Sequence, residues 1–166
     1  MKNTPKTYED FLYQKTQLSG EFGFAPTFMP DFLFPFQRAL LEWAINKGRS
    51  AIFADCGLGK TAMQLAWCQN VVEKTNGNVL ILTPLAVGPQ TVKEARKFGM
   101  SAERSRDGSV AGKITVTNYE KLHLFNPLDF AGVACDESSI IKHATGATQK
   151  EVTRFMCKLP YRSLWT

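Results

Sequence analysis

The segment Ser50-Ala51-Ile52-Phe53-Ala54-Asp55-Cys56-Gly57-Leu58-Gly59-Lys60-Thr61 constrains this chain more than any other. A short apolar run enters a turn carrying two glycines. Gly59-Lys60-Thr61 then opens a stretch with Ala62, Leu65, Ala66 and Cys68/Gln69 at helical spacing. A strand, a glycine turn and a helix in that order suit a bound triphosphate. Backbone N–H groups of the turn and of the helix's first turn converge on the β-phosphate, Lys60 neutralises the β and γ oxygens, and the Thr61 hydroxyl ligates Mg²⁺. Ala54 stands where the strict pattern has glycine, a conservative change provided its φ is negative. An ordinary glycine-rich loop is the bland alternative. The strand before and the amphipathic helix after argue instead for a phosphate-binding loop, or P-loop.

At 166 residues and 44% apolar composition the chain has room for one domain with a real core, and not for two. Cys56, Cys68, Cys135 and Cys157 are scattered, none at C-x-x-C spacing, and His123 and His143 lie far from most of them. Neither a structural zinc site nor a disulfide framework is expected. No apolar run is long enough to span a bilayer, and Met1-Lys2-Asn3-Thr4-Pro5-Lys6 lacks the apolar segment of a signal peptide. The expected setting is a reducing cytoplasm, of a bacterial or phage-infected cell, or a nucleus if the source is eukaryotic. A net charge of +5 suits a polyanionic partner, with basic residues thickening at Lys93, Arg96, Lys97, Arg104, Arg106, Lys113 and Lys121. The competing reading of that set is a solvated face.

Residues 1–33 mix aromatic side chains (Tyr8, Phe11, Tyr13, Phe22, Phe24, Phe28, Phe32) with prolines and read as an extension packed on the domain that begins at residue 34, with disorder as the rival account. A helix is expected after Pro35, with Ala39, Leu40, Trp43 and Ala44 as its apolar stripe and Gly48 near its end. Strands are expected at 51–54, 79–83, 114–117, 133–135 and 161–165. Helices are expected from the P-loop to about Val72, over 90–98 and 148–157, with a short one at 119–124. Val92, Ala95 and Phe98 should face the sheet. Alternating strands and helices, with several strands almost wholly apolar, predict an α/β fold whose mostly parallel sheet is covered on both faces.

A P-loop needs a carboxylate across its Mg²⁺, and Gly132-Val133-Ala134-Cys135 leads directly into Asp136-Glu137. Asp136 would hold the metal together with Thr61, and Glu137 would orient and deprotonate an attacking water. A solvated acidic turn is the bland alternative. Gln37, after Phe34-Pro35-Phe36, has an amide able to exchange a donor and an acceptor with an adenine edge beside an aromatic neighbour; a surface glutamine at a helix start is the bland alternative.

Taken together, these residues resemble the superfamily 2 helicases and translocases, most nearly their Snf2-like branch. Phe34-Pro35-Phe36-Gln37-Arg38 resembles the glutamine motif, and Asp55-Cys56-Gly57-Leu58-Gly59-Lys60-Thr61 resembles motif I. Leu82-Thr83-Pro84 resembles motif Ia, Thr117-Asn118-Tyr119-Glu120 the motif Ib region, and Asp136-Glu137-Ser138-Ser139 the DExx box, with Ile141-Lys142-His143 similar to the I-K-N that often follows. The pieces also arrive in the family's order. The resemblance implies a RecA-like three-layer lobe over residues 34–166 that is incomplete at its C-terminus, where motif III would begin at Thr166. It implies ATP with Mg²⁺ as cofactors, and Gln37, Asp55, Gly57, Leu58, Gly59, Lys60 and Thr61 as nucleotide contacts. Lys60, Asp136 and Glu137 would be the catalytic set.

The resemblance further implies nucleic acid, DNA before RNA, at Thr83, Pro84, Lys93, Thr117 and Asn118, through phosphate contacts rather than base reading. A plain strand stop is the alternative for Thr83-Pro84. Ser139 departs from the family's His or Asp, which puts coupling of hydrolysis to movement in doubt. A second lobe, in the same chain or another, would supply the arginines that complete the site, so hydrolysis and unwinding by these residues alone should be weak or absent. Three rival classes stand beside this one: a different P-loop ATPase that polymerises or switches, a non-catalytic binding module derived from a helicase lobe, and a small-molecule kinase. The kinase would need an acceptor pocket and an arginine-bearing lid.

Overall fold

Val79-Leu80-Ile81-Leu82-Thr83 has no polar alternation, and a strand of that kind needs cover on both faces. The computed structural model, which describes residues 22–139 and 146–166, gives it that cover. In chain order the elements are α1 (Pro35–Lys47), β1 (Arg49–Ile52), α2 (Lys60–Thr75), β2 (Val79–Thr83), α3 (Gly88–Lys97), β3 (Glu103–Arg104) and β4 (Ile114–Asn118). Then follow 3₁₀ turns at Tyr119–Leu124 and Pro127–Asp129, β5 (Gly132–Cys135), α4 (Gly146–Cys157) and β6 (Tyr161–Trp165). The strands form one sheet in the order β1-β6-β5-β2-β4-β3, and every pairing is parallel. All carboxyl ends therefore open onto one edge, where ligands of such sheets bind.

The sheet separates two cores. Ile52, Val79, Ile81, Ile114, Val116, Ala134 and Trp165 face α1, α2 and α3, together with Leu41, Met63 and Trp67. Leu80, Leu82, Val133 and Cys135 face the 3₁₀ turn and α4, against Tyr119, Leu122 and Phe155. Among the described residues no helix is long and apolar enough to cross a membrane.

Several expected boundaries move. β1 lies two residues earlier than 51–54: it pairs Arg49 with Arg162 through Ile52 with Trp165, and Phe53 then turns outward to 77% exposure. The stripe of α1 is rotated from the expected one. Gln37, Leu41, Ala44 and Ile45 are buried, Trp43 is 45% exposed and Ala39 faces solvent. The buried set keeps the i, i+4, i+7, i+8 spacing of a helix face, but one of its four members is polar. Gly48 ends α1 at φ +65, as expected of a left-handed C-cap. Residues 119–124 form a 3₁₀ turn, and the two-residue β3 was not foreseen.

Residues 22–33 run as an irregular strap over this framework. Its start is fastened to the end of α1, with the N–H groups of Phe22, Gly23 and Phe24 donating to the carbonyls of Lys47, Asn46 and Ile45. Its middle is held by Asn70 of α2, fully buried. The Asn70 Oδ1 accepts from the N–H groups of Thr27 (2.8 Å) and Phe28 (2.9 Å), and its Nδ2 donates to the carbonyls of Phe28 (2.7 Å) and Ala66 (2.8 Å). Phe24 meets Tyr161 edge-on and Phe32 stacks on Phe98 at 4.6 Å. Tyr8, Phe11, Tyr13 and the Ile141-Lys142-His143 segment lie outside the described residues.

Replacing Asn70 by Leu removes partners from three strap groups at a cost of about 1–3 kcal/mol for each group left buried. Thermal denaturation should show a loss of about 3 kcal/mol or more, a fall of roughly 6–12 °C for a domain of this size. A fall of under about 2 °C would show that the strap contributes little to the fold.

Candidate nucleotide-binding site

The turn after β1 depends on two glycines. Gly57 has φ +82 and Gly59 has φ +75, both in the region that side chains disfavour. Gly59 is also the N-cap of α2, and a Cβ there would stand 2.3 Å from the Gln37 amide nitrogen. No side chain caps α2 and no acidic residue lies in its first turn. Its first helical bond runs from Met63 N–H to the Gly59 carbonyl, so the N–H groups of Lys60, Thr61 and Ala62 have no helical acceptor. Those amides, with the positive end of the helix dipole, favour negative charge at this end of α2. Ala54 is not among the residues with positive φ, which satisfies the condition for alanine at that position. The Lys60 ammonium is folded into the loop, donating to the carbonyls of Ala54 at 2.6 Å and Asp55 at 3.4 Å.

Gln37, 6% exposed in the first turn of α1, bridges two elements. Its Oε1 accepts from the Phe34 N–H at 2.9 Å and its Nε2 donates to the Leu58 carbonyl at 2.8 Å. One N–H and one lone pair remain beyond these contacts. Beside it the Phe34 and Phe36 rings lie nearly parallel, 6.2 Å apart, and are 64% and 45% exposed.

The acid pair sits two strands away on the same edge, with β6 between; at ordinary strand spacing that is roughly 10 Å from β1 to β5. The Asp136 N–H donates to the Leu82 carbonyl at 2.8 Å, extending the ladder past the end of β5. The next residues are pinned to the end of β6: Ser138 N–H donates to the Trp165 carbonyl at 2.9 Å, and Ser139 N–H to the Thr166 hydroxyl at 3.1 Å. The link from this loop to the end of β6 thus uses the main chain of Ser139. Glu137 adopts φ +47, one of two non-glycine residues with positive φ among those described. Its N–H donates to the Asp136 Oδ1 at 3.1 Å, and the Tyr119 hydroxyl donates to the Asp136 carbonyl at 2.6 Å.

Burial, and next the Glu137 charge, push the Asp136 carboxyl from 3.8 up to about 6. The Glu137 N–H and Lys60 oppose that rise, and Glu94 adds to it. Asp136 is only 5% exposed, so the site holds a carboxylate whose ionisation is poorly compensated. Among the described residues there is no group of three or more His, Cys, Asp and Glu suited to a metal. A donor set of the Asp136 carboxylate and the Thr61 hydroxyl suits Mg²⁺, which binds through one or two protein oxygens, phosphate and water.

The residues expected to touch nucleic acid lie farther along the edge. Thr83 and Asn118 are paired at the ends of β2 and β4. Thr83 and Thr117 are buried to 0% and 1% exposure, and the Thr83 hydroxyl donates to the Thr117 carbonyl at 3.4 Å. Their side chains lie beneath the surface. Pro84 is half-buried, Asn118 is 8% exposed with its Nδ2 donating to Glu120 Oε2, and Lys93 is exposed on α3. Arg104 joins this region: a Cβ at Gly88 would lie 3.4 Å from its Nε and 3.3 Å from the Thr83 hydroxyl. Lys113 lies at the opposite end, bonded to the Asn76 carbonyl, so the basic set does not form one patch. Tyr119 and Thr166 also contact the acid loop, contacts that the sequence motifs containing them do not specify.

The Asp136 pKa is raised on folding, so the ionised form opposes folding; that penalty is full above about 6 and disappears as pH falls through 6 toward 3.8. Asp136→Asn should therefore stabilise the free chain by roughly 1–3 kcal/mol at pH 7.5, with almost no gain at pH 4. The same variant should bind Mg²⁺-nucleotide more weakly. Equal destabilisation at both pH values, read by thermal melting, would contradict the assignment.

No protein-family model matches the chain, and no curated protein does. Among solved structures it is similar to the UvsW helicase from bacteriophage T4, with a TM-score of 0.70 and 13% identity over 96% of this chain and 59% of that one. It is similar also to the Sulfolobus solfataricus SWI2/SNF2 ATPase core in complex with dsDNA, with a TM-score of 0.71 and 22% identity over 86% of this chain and 33% of that one. A third is a hypothetical ATP-dependent RNA helicase from Sulfolobus tokodaii, with a TM-score of 0.59 and 14% identity over 96% and 50%. The chain spans less than two thirds of each of these three chains. At such identities the likeness is one of fold, and the fold of this chain is RecA-like, of the P-loop NTPase kind: one parallel sheet with helices on both faces.

Proposed function

We propose that this chain is the ATP-binding lobe of a nucleic-acid-dependent ATPase of the superfamily 2 kind, nearest to the Snf2-like branch. ATP would be hydrolysed to ADP and phosphate when a second lobe completes the site. The observation that carries this reading is one juxtaposition. The uncapped start of α2, with Lys60 held inside its loop, shares a sheet edge with Asp136 and Glu137, one strand between them. The amides of Gly59 to Ala62 receive the phosphates, Lys60 exchanges the Ala54 carbonyl for phosphate oxygens, and Glu137 orients the attacking water and takes its proton. Bound at Thr61 and Asp136, Mg²⁺ would offset negative charge on the phosphates. Gln37 fixes the P-loop through Leu58 and has one donor and one acceptor left for the base, with Phe34 and Phe36 beside it.

Nucleic acid, DNA in this reading, would lie along Pro84, Lys93 and Asn118 with Arg104 beneath, through phosphate contacts; Thr83 and Thr117 would shape that rim from below. Motif III would begin at Thr166, which the DExx loop already contacts. An arginine contributed across the cleft is worth on the order of 10³-fold or more in related phosphoryl transfer, so this lobe alone should turn over very slowly.

Calorimetry with Mg²⁺·ATP tests the reading. The wild-type chain should bind, and Lys60→Ala should weaken binding by about 30-fold or more, the loss of a charge-assisted contact of about 2 kcal/mol. Absence of binding by the wild type, or equal binding by both, would refute it.

A further inference from the structure

The Tyr119 hydroxyl donates to the Asp136 carbonyl at 2.6 Å, and the tyrosine is 4% exposed, packed with Leu80, Leu82 and Leu122. That carbonyl is one half of the Asp136–Glu137 peptide; the other half, the Glu137 N–H, donates to the Asp136 Oδ1. Both polar groups of one peptide plane are thus held from outside the helix and strand ladders. The residue that follows the plane has φ +47, a conformation that an ordinary side chain keeps only where its surroundings over-determine it. Without the hydroxyl, a carbonyl at the buried end of β5 would lose its donor among the described residues, and the peptide would be free to turn.

We infer that Tyr119 is the positioning residue for Glu137: its hydroxyl fixes the Asp136–Glu137 peptide in the plane that holds Glu137 at positive φ and aims its carboxylate. Tyr119 directly follows Asn118, the last residue of β4, so the same bond ties the acid pair to the rim proposed for nucleic acid. A shift at the end of β4 would reach Glu137 through one hydrogen bond, with no change needed in the P-loop. The aiming of a base rests on the proposed role of Glu137, whereas the peptide geometry does not.

Nuclear magnetic resonance on the free chain tests the geometry without nucleotide. Backbone couplings that report the sign of φ should give a positive value for Glu137 in the wild type and a negative or averaged value in Tyr119→Phe. An unchanged positive φ in that variant would overturn the inference. Should Tyr119→Phe fail to fold, the wild type still decides: its Tyr119 hydroxyl proton should exchange slowly, and exchange at the solvent rate would overturn the inference. With nucleotide, Tyr119→Phe should bind Mg²⁺·ATP within about threefold of the wild type while single-turnover hydrolysis, with protein in excess, falls about tenfold or more. A proportional loss of both would make Tyr119 a merely structural residue. If the wild type binds no nucleotide, the proposed function fails, and the φ measurement still judges Tyr119.

Discussion

An uncapped helix N-terminus at the carboxyl edge of an all-parallel sheet leaves amide groups that only an anion or water can satisfy. Here the sequence strengthens that condition. Gly59 supplies a left-handed N-cap with no side chain to bond the first turn, and no Asp or Glu is present to occupy the dipole. The remaining parts of the site are arranged around this helix start. Gln37 packs where the missing Cβ of Gly59 leaves room, Lys60 bonds to the loop's own carbonyls, and β6 sets the distance from the P-loop to the acid pair.

The acid pair is unfavourable to the free fold in two ways, and both suit a binding site. Asp136 is buried beside Glu137, which raises its pKa, and Glu137 occupies a backbone region that costs of order 1–3 kcal/mol for a non-glycine residue. The Leu82 carbonyl and the Tyr119 hydroxyl hold the main chain of Asp136, and the Trp165 carbonyl and the Thr166 hydroxyl hold Ser138 and Ser139, which follow the pair. The strain therefore sits where the two neighbouring connections can resist it. A cation bound between Thr61 and Asp136 would relieve the electrostatic part of this cost.

The P-loop and the Asp136-Glu137 strand end were legible because local rules determine them: residue type, a glycine turn, and an apolar run that stops. The parallel sheet followed from apolar runs alternating with helical spacing. The α1 stripe is rotated from the expected one because Gln37, a polar residue, occupies a buried position where it bonds to the Phe34 N–H and the Leu58 carbonyl. Sequence located the ends of β2 and β4 but not the depth of their side chains: Thr83 and Thr117 are buried. The contacts of Tyr119 with Asp136 and of Ser139 with Thr166 join residues far apart in the chain, and no local pattern encodes them. The two-residue β3 is too short to carry a periodic signal.

A crystal structure of the chain grown with Mg²⁺ and a non-hydrolysable ATP analogue decides whether the loop from Ala54 to Thr61 receives phosphate opposite Asp136 and Glu137. The expected result has the β-phosphate within hydrogen-bond distance of the Gly59 to Thr61 amides, and Lys60 Nζ moved from the Ala54 carbonyl to phosphate oxygen. A nucleotide seated elsewhere, or Lys60 still bonded to Ala54 with nucleotide present, would contradict the account.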